Sequence, residues 1–303
     1  MSGSRSEAVE VGLSTGQLPA CPLCGHRRWQ GPARGTPFFR CPNCALWFHA
    51  RSVDRAEEER LYDHCDSVPV QDQEAIAQRY WALARRLAAT RGRPLQRVLD
   101  VGCGSGHFLL QAREHGAEVA GLELDPAQVR ACLEQGLPVR SGSLFDVGVP
   151  SGPWDLVTFW DVLDHLEEPV EALRRVLREV PPGGLVVARG RNAAVHVPLK
   201  IRHRRYPHWM RRLRVPDVSV VHRWGFTPPA WKKLFAAAGL ENVRLIAGVP
   251  TPGDRYRMLG AGAAALLKGG LGSAAQGLCS LTGGRTYYFP SVLIVGERPL
   301  GGP

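Results

Sequence analysis

The chain has 303 residues, 44% hydrophobic and 22% charged, which excludes a mainly disordered polypeptide and fits either two domains or one large domain with an appendage. Its 38 Lys and Arg against 28 Asp and Glu give a formal charge of +10, which invites a nucleic-acid or anionic-membrane partner. The excess is local. Residues 101–200 carry 9 basic and 13 acidic side chains, whereas 189–214 hold nine Lys and Arg and no acid.

The first twenty residues have no apolar run behind a basic start, so they do not read as a signal peptide. The most apolar stretch, 259–282, contains six Gly and one Lys and falls short of a membrane span. A cytoplasmic location is expected, where thiols stay reduced. Eight cysteines then point to metal before disulfides. Cys21-Pro-Leu-Cys24 and Cys41-Pro-Asn-Cys44 form two knuckles separated by sixteen residues. That spacing can deliver four thiolates to one tetrahedral Zn²⁺, and four protein ligands leave no open position, so the zinc is expected to be structural. Cys65, Cys103, Cys132 and Cys279 lack such spacing and are expected to be small buried fillers.

Residues 1–52 thus read as a tail and a zinc ribbon, and 53–92 as linker helices, charged first and amphipathic later. Gly92-Arg93-Pro94 ends the second. From residue 97 short apolar runs alternate with helices. Strands are predicted at 97–101, 118–122, 138–140, 155–160, 184–188, 242–247 and 287–295, and helices at 106–115, 126–135, 169–179 and 228–238. This alternation predicts an α/β domain over 93–303, a seven-stranded parallel sheet with helices on both faces. Residues 191–225 read as a basic substrate cover and 250–285 as an insertion.

The first strand of this domain runs into Asp100-Val-Gly102-Cys103-Gly104-Ser105-Gly106, and a helix follows. Glycines here let the backbone take positive φ and approach a ligand closely. Glu123 lies 17 residues after Gly106, at the end of the second strand, where an acid can accept hydrogen bonds from ribose hydroxyls. Asp100 precedes the loop. It would repel a pyrophosphate and attract a cation, so the pair favours S-adenosylmethionine (SAM) over a nicotinamide dinucleotide.

Taken together, VLDVGCGSGHFL, GLELDP and WDLVTFWDVLDHLEEPVEALRRVLREVPPGG resemble the ordered motifs of class I SAM-dependent methyltransferases. Within these, the chain is similar to the ubiquinone-biosynthesis-methyltransferase-like subgroup, some members of which carry an N-terminal zinc ribbon. The resemblance is dense over 97–188 and looser through HRWGFTPPAWKKLFAAAGL. It implies a Rossmann-like fold and a SAM site. Gly102, Gly104 and Gly106, with Cys103, Ser105 and Phe108 in the same motif, would lie at the carboxypropyl chain. Asp100 would face the amino or sulfonium end, Glu123 the ribose, and Leu124 the adenine. Ser143 and Leu144 stand where the family often has an Asp for the adenine amino group. Phe159 and Asp161 would line the pocket near the methyl group.

Methyl transfer to a hydroxyl needs positioning and a proton acceptor. His165, just past the fourth strand of the domain, and His222, in the HRWGFTP stretch, are the candidate bases, with a structural role as the alternative for each. His196, His203 and His208 are expected to be solvated. The basic segment 189–214 is interleaved with Trp, Tyr, Leu, Ile and Met. It reads as a solvated helix face, as a contact with anionic membrane, or as a grip on a phosphorylated or nucleic-acid substrate. The expected activity is SAM-dependent methylation, foremost at oxygen, of a small or lipophilic acceptor. The alternatives are an RNA or protein methyltransferase and a non-catalytic SAM-binding or zinc-ribbon module.

Overall fold

The computed structural model describes residues 19–31, 37–49, 70–213, 223–248 and 289–301. His222, Cys65, Cys279, Arg214, the first part of the expected linker and the insertion 250–285 lie outside the described residues.

Seven strands form the main sheet: β3 (Arg97–Val101), β4 (Glu118–Glu123), β5 (Val139–Ser141), β6 (Leu156–Trp160), β7 (Leu185–Arg191), β9 (Glu241–Ala247) and β10 (Ser291–Glu297). Their order is β5-β4-β3-β6-β7-β10-β9. The pairs β5–β4, β4–β3, β3–β6 and β6–β7 are parallel. The expectation of a wholly parallel sheet is corrected at one strand. β10 inserts between β7 and β9 and runs antiparallel to both. A short apolar strand fits either direction, so direction is set by where the preceding chain delivers it.

Helices cover both faces. α1 (Val70–Ala89), α2 (His107–Glu114) and α3 (Pro126–Glu134) lie on one side, α4 (Pro169–Arg178) and α7 (Pro228–Ala238) on the other. The alternation along β3 and β6 builds the two cores. Val98 and Leu156 join Tyr80, Trp81, Phe108 and Leu109, while Leu99, Val157 and Phe159 join Leu173, Trp231 and Phe235. Phe159, Trp231 and Phe235 are fully buried, and each such ring contributes about 1.5–3 kcal/mol.

Caps fix the helix starts. Asp125 accepts from the Ala127 N–H at 2.8 Å, and Pro126 fills the first helical position of α3. Thr227 caps α7 with Pro228 behind it, and Gly239 ends that helix in the left-handed region at φ 94°. The basic segment forms two helices, α5 (Ala193–Arg205) and α6 (Pro207–Arg212). Asn192 caps α5 by accepting from Ala194 N–H at 3.0 Å. Arg202, Arg204 and Arg205 lie in its last turn, where cations complement the helix dipole.

Strands β1 (Phe38–Arg40) and β2 (Trp47–His49) form an antiparallel pair beside the cysteines, and β2 also pairs with β8 (Trp224–Gly225). The apolar residues around the four cysteines are continuous with the core of the main sheet through Phe48, Trp224 and Phe226.

Candidate cofactor site and cysteine cluster

The chain passes from β3 outward through β4 to β5 and then returns to β6 on the other side of β3. Strand order reverses there, and ligands of open α/β sheets bind at the carboxyl ends of such strands. The glycine loop follows β3 and the 161–166 turn follows β6, so both stand at this crevice.

The loop needs its glycines for two different reasons. Gly102, Gly104 and Gly106 all have positive φ, at 73°, 53° and 82°. A side chain at Gly102 would meet Val162 at 2.4 Å, and one at Gly106 would meet Leu137 at 2.4 Å, so these two are packing glycines. Around Gly104 there is nothing within 4 Å of a Cβ, which leaves open space over the loop. Gly106 caps α2 with no side-chain hydrogen bond, so no cap side chain occupies the first amides of that helix. Ser105 Oγ donates to Gln73 Oε1 at 3.1 Å, which ties α1 to the loop.

Glu123 ends β4. Its carboxylate accepts from Gly104 N–H at 2.8 Å, Leu124 N–H at 2.7 Å and Asp125 N–H at 2.9 Å. It therefore joins the loop after β3 to the loop after β4. Leu124 next to it is 54% exposed, an apolar side chain free to meet a flat apolar group. Ser143 Oγ accepts from Phe145 N–H at 3.2 Å, and Leu144 is buried.

Asp100 is buried at the end of β3 and accepts from the Thr158 hydroxyl at 2.6 Å. Burial pushes its carboxyl up to about 8, with Thr158 opposing and Glu123 adding to the rise. A buried acid in this condition is suited to a cationic neighbour, which recovers the charged form. These features fit SAM: open space over Gly104, helix amides for a carboxylate, an acid for a cation and another for hydroxyls.

Asp161, at φ 59°, pairs with Arg189. Burial raises the Asp161 carboxyl and the Arg189 charge opposes that rise. Arg189 lies in β7 and is buried, so the first cation of the basic run belongs to the crevice and not to the cover. His165 is half-buried in the turn after β6, and its N–H donates to Val162 O at 3.0 Å. His196 is corrected: it is buried in α5, and its ring Nε2 contacts the Pro290 carbonyl at 2.7 Å, so it packs against the start of β10 and is not solvated. His208 is exposed and His203 half-buried.

Phe108 and Phe159 are both buried. Phe108 packs edge-on against Trp81 and Trp160 in one core, while Phe159 is wholly buried in the core on the other face of the sheet, so its side chain has no exposed surface with which to line the pocket as expected. Cys103 and Cys132 are buried beneath the loop, as expected of fillers, and the Cys132 thiol approaches Gly104 O at 3.2 Å.

Sequence reasoning missed Gln73, Thr158, Arg189 and the Tyr80–Trp160 stack at 4.2 Å. Each of these joins segments far apart in sequence. An acid just after one predicted strand, Asp161, and a base just after the next, Arg189 behind 184–188, were the available signal.

The four cysteines of the two knuckles converge. Their Sγ atoms all lie within 4.8 Å of one another, with Cys21–Cys44 at 3.4 Å and Cys24–Cys41 at 3.6 Å. Four thiolates around one tetrahedral zinc stand about 3.8 Å apart, so the set fits such an ion. The hydrogen bond with Cys44 and burial push the Cys21 thiol up, while the same hydrogen bond brings Cys44 down to about 5. Such crowded thiols favour a cation that neutralises them together.

This switch-point crevice, with a glycine loop after β3, an acid before it and an acid ending β4, is the framework of a class I SAM-dependent methyltransferase. The sequence profile described as "Methyltransferase domain" matches residues 73–245, and the chain belongs to that family. It is 29% identical over 151 residues to the Ubiquinone biosynthesis O-methyltransferase of Escherichia coli O139:H28, covering 43% of this chain. The match spans 63% of the length of that relative. The fold is similar to that of the plantazolicin methyltransferase BpumL in complex with SAH, with a TM-score of 0.50 at 12% identity, covering 81% of this chain and 91% of that one. A SAM-dependent methyltransferase from Archaeoglobus fulgidus aligns over 72% of this chain and 94% of its own, at 17% identity and a TM-score of 0.44.

Proposed function

We propose that the chain transfers a methyl group from SAM to an oxygen of a small or lipophilic acceptor. The observation that carries this reading is the crevice itself, where buried Asp100, Glu123 and the open face of Gly104 meet. SAM supplies an electrophilic methyl on a permanent cation. The loop from Gly102 to Gly106, with Cys103 and Ser105, bears the amino-acid end, and the α2 amides meet its carboxylate. Asp100 balances the cation, Glu123 takes the ribose, and Leu124, Ser143 and Leu144 border the adenine. Asp161, oriented by Arg189, stands at the methyl end. His165 removes the acceptor proton, with His222 from the cover as the second candidate. Transfer to oxygen is supported by the E. coli relative's name and by the half-buried His165 in the turn after β6.

Zinc held by Cys21, Cys24, Cys41 and Cys44 closes the ribbon and takes no part in chemistry. The division into ribbon (1–52), linker (53–92) and catalytic domain (93–303) and a cytoplasmic setting with reduced thiols belong to the same reading. A peripheral contact with anionic membrane is supported by one specific observation. Tyr206, Trp209 and Leu213 are exposed among Arg202, Arg204, Arg205, Arg211 and Arg212.

Titration calorimetry with SAM on the purified chain tests the cofactor assignment. Transfer of labelled methyl from SAM into a fractionated cell extract tests the acceptor. Binding and label in a lipid or small-molecule fraction are expected. Label entering RNA or protein would overturn the acceptor class, and absence of SAM binding would overturn the whole reading.

A further inference from the structure

Trp224 lies where the cysteine ribbon meets the catalytic domain. Its backbone N–H donates to the Asp164 carbonyl at 3.1 Å, and its indole Nε1–H donates to the Leu166 carbonyl at 2.9 Å. One residue thus holds the carbonyls on both sides of His165. The other end of the turn is fixed by the crevice. Asp161 N–H donates to Arg189 O at 3.0 Å, and Val162 fills the space beside Gly102. His165 therefore stands on a turn pinned at one end by the cofactor loop and at the other by Trp224.

Trp224 is itself placed by the ribbon. It pairs with Phe48 across β2 and β8, and His49 N–H donates to Arg223 O at 3.1 Å. Its ring packs on Phe48 at 5.1 Å, and Phe48 packs on Trp29 at 5.7 Å. Ala45, directly after Cys44, donates its N–H to Cys41 O at 3.0 Å and accepts from Thr227 Oγ1 at 3.2 Å. The short segment from Ala45 to Phe48 therefore joins the second cysteine knuckle to Trp224, and Trp224 joins it to the turn. None of these contacts uses Asp100, Glu123 or the glycine loop.

We propose that Trp224 is the positioning residue for His165 and that the metal-closed ribbon sets the position of His165 through it. The proposal rests on the methyl-transfer reading for why the placement of His165 matters. Carbonyls held on both sides leave the intervening peptide planes little freedom, so the point from which the His165 side chain leaves the backbone is fixed relative to the crevice. Losing the metal frees β2, and with it Trp224, while the cofactor framework on β3 and β4 stays intact.

Trp224→Phe keeps a ring against Phe48 and removes the indole N–H. Hydrogen–deuterium exchange on the full chain is expected to quicken about tenfold in peptides covering 161–167 and to stay unchanged in those covering 98–108 and 118–125. Affinity for S-adenosylhomocysteine is expected to stay within about twofold of wild type. The His165 ring resonances move, and those of His107 and His115 do not. Chelation of the wild-type chain, with zinc loss followed by elemental analysis, gives the same pattern. Phe48→Leu, which loosens the contact from the ribbon side, gives it too and serves if Trp224→Phe does not fold. Unchanged exchange at 161–167 in the variants overturns the positioning role, as does quickened exchange spread evenly over the sheet. A purified chain that holds no metal while 161–167 stays protected overturns the role of the ribbon. A wild-type chain that fails to bind S-adenosylhomocysteine overturns the methyltransferase reading instead, whatever the exchange shows.

Discussion

Asp100 sets a conflict between stability and binding at a single residue. Its folded carboxyl titrates at about 8, well above the ordinary carboxylate range near 4. Between those values the unfolded chain has released the proton and the folded chain retains it, so stability falls as pH rises from about 4 to about 8. Asp100→Asn removes this loss and is expected to raise stability by about 1–2 kcal/mol at pH 8, measured by urea denaturation without ligand. On the proposed reading the same variant removes the partner of the SAM cation. SAM binding to the wild type is expected to strengthen as pH rises, by up to about tenfold per pH unit until about pH 8, and to level off above it, with calorimetry reading proton release below pH 8. In Asp100→Asn the slope disappears and affinity falls. A variant that bound SAM with the wild-type pH slope would remove Asp100 from the cation site. Asp100, Glu123 and the three glycines were legible because the chemistry sits in one contiguous motif and one fixed offset. Thr158 and Arg189 were not, because their partners are chosen by strand register across β3, β6 and β7.

At the scale of elements, α7 shows how one side chain serves two structures. Thr227 caps the helix, accepting from Ala230 N–H at 3.4 Å, and donates to Ala45 O at the second knuckle. Thr227→Ala is expected to cost about 1–2 kcal/mol in urea denaturation, and Thr227→Ser to recover most of it. Equal losses in both variants would mean that the methyl group, and not the hydroxyl, does the holding. The start of α7 was readable from Thr-Pro-Pro, and α3 from Asp-Pro. The pair α5 and α6 was read as a basic cover with a solvated helix face as one of three alternatives and without bounds, since Pro198 and the charge run hide any apolar stripe. Asn192 was the cap signal that could have placed α5. β8 is two residues long and has no periodicity to read, although it pairs with β2 beside the four cysteines.

Over the whole molecule, charge and apolar exposure coincide. Three of the large exposed apolar side chains, Tyr206, Trp209 and Leu213, cluster at the end of the basic helices. Arg202, Arg204, Arg205, Arg211 and Arg212 lie around them. On the proposed reading the chain sediments with vesicles of phosphatidylglycerol and not with those of phosphatidylcholine, and salt releases it. Trp209→Ala should weaken that binding about tenfold, while a charge-only attraction would leave it unchanged. The alternation of strands and helices made the sheet and its switch point legible, but the direction of β10 was not, because nothing within 287–295 records the path that brings it in. That strand has a consequence for synthesis. β9 pairs with β10, and β10 stands between it and β7. While residues 291–297 are still inside the ribosome, β7 and β9 both lack the strand that pairs with them among the described residues. β9 thus joins the main sheet only after a strand made later, β10, has entered between it and β7.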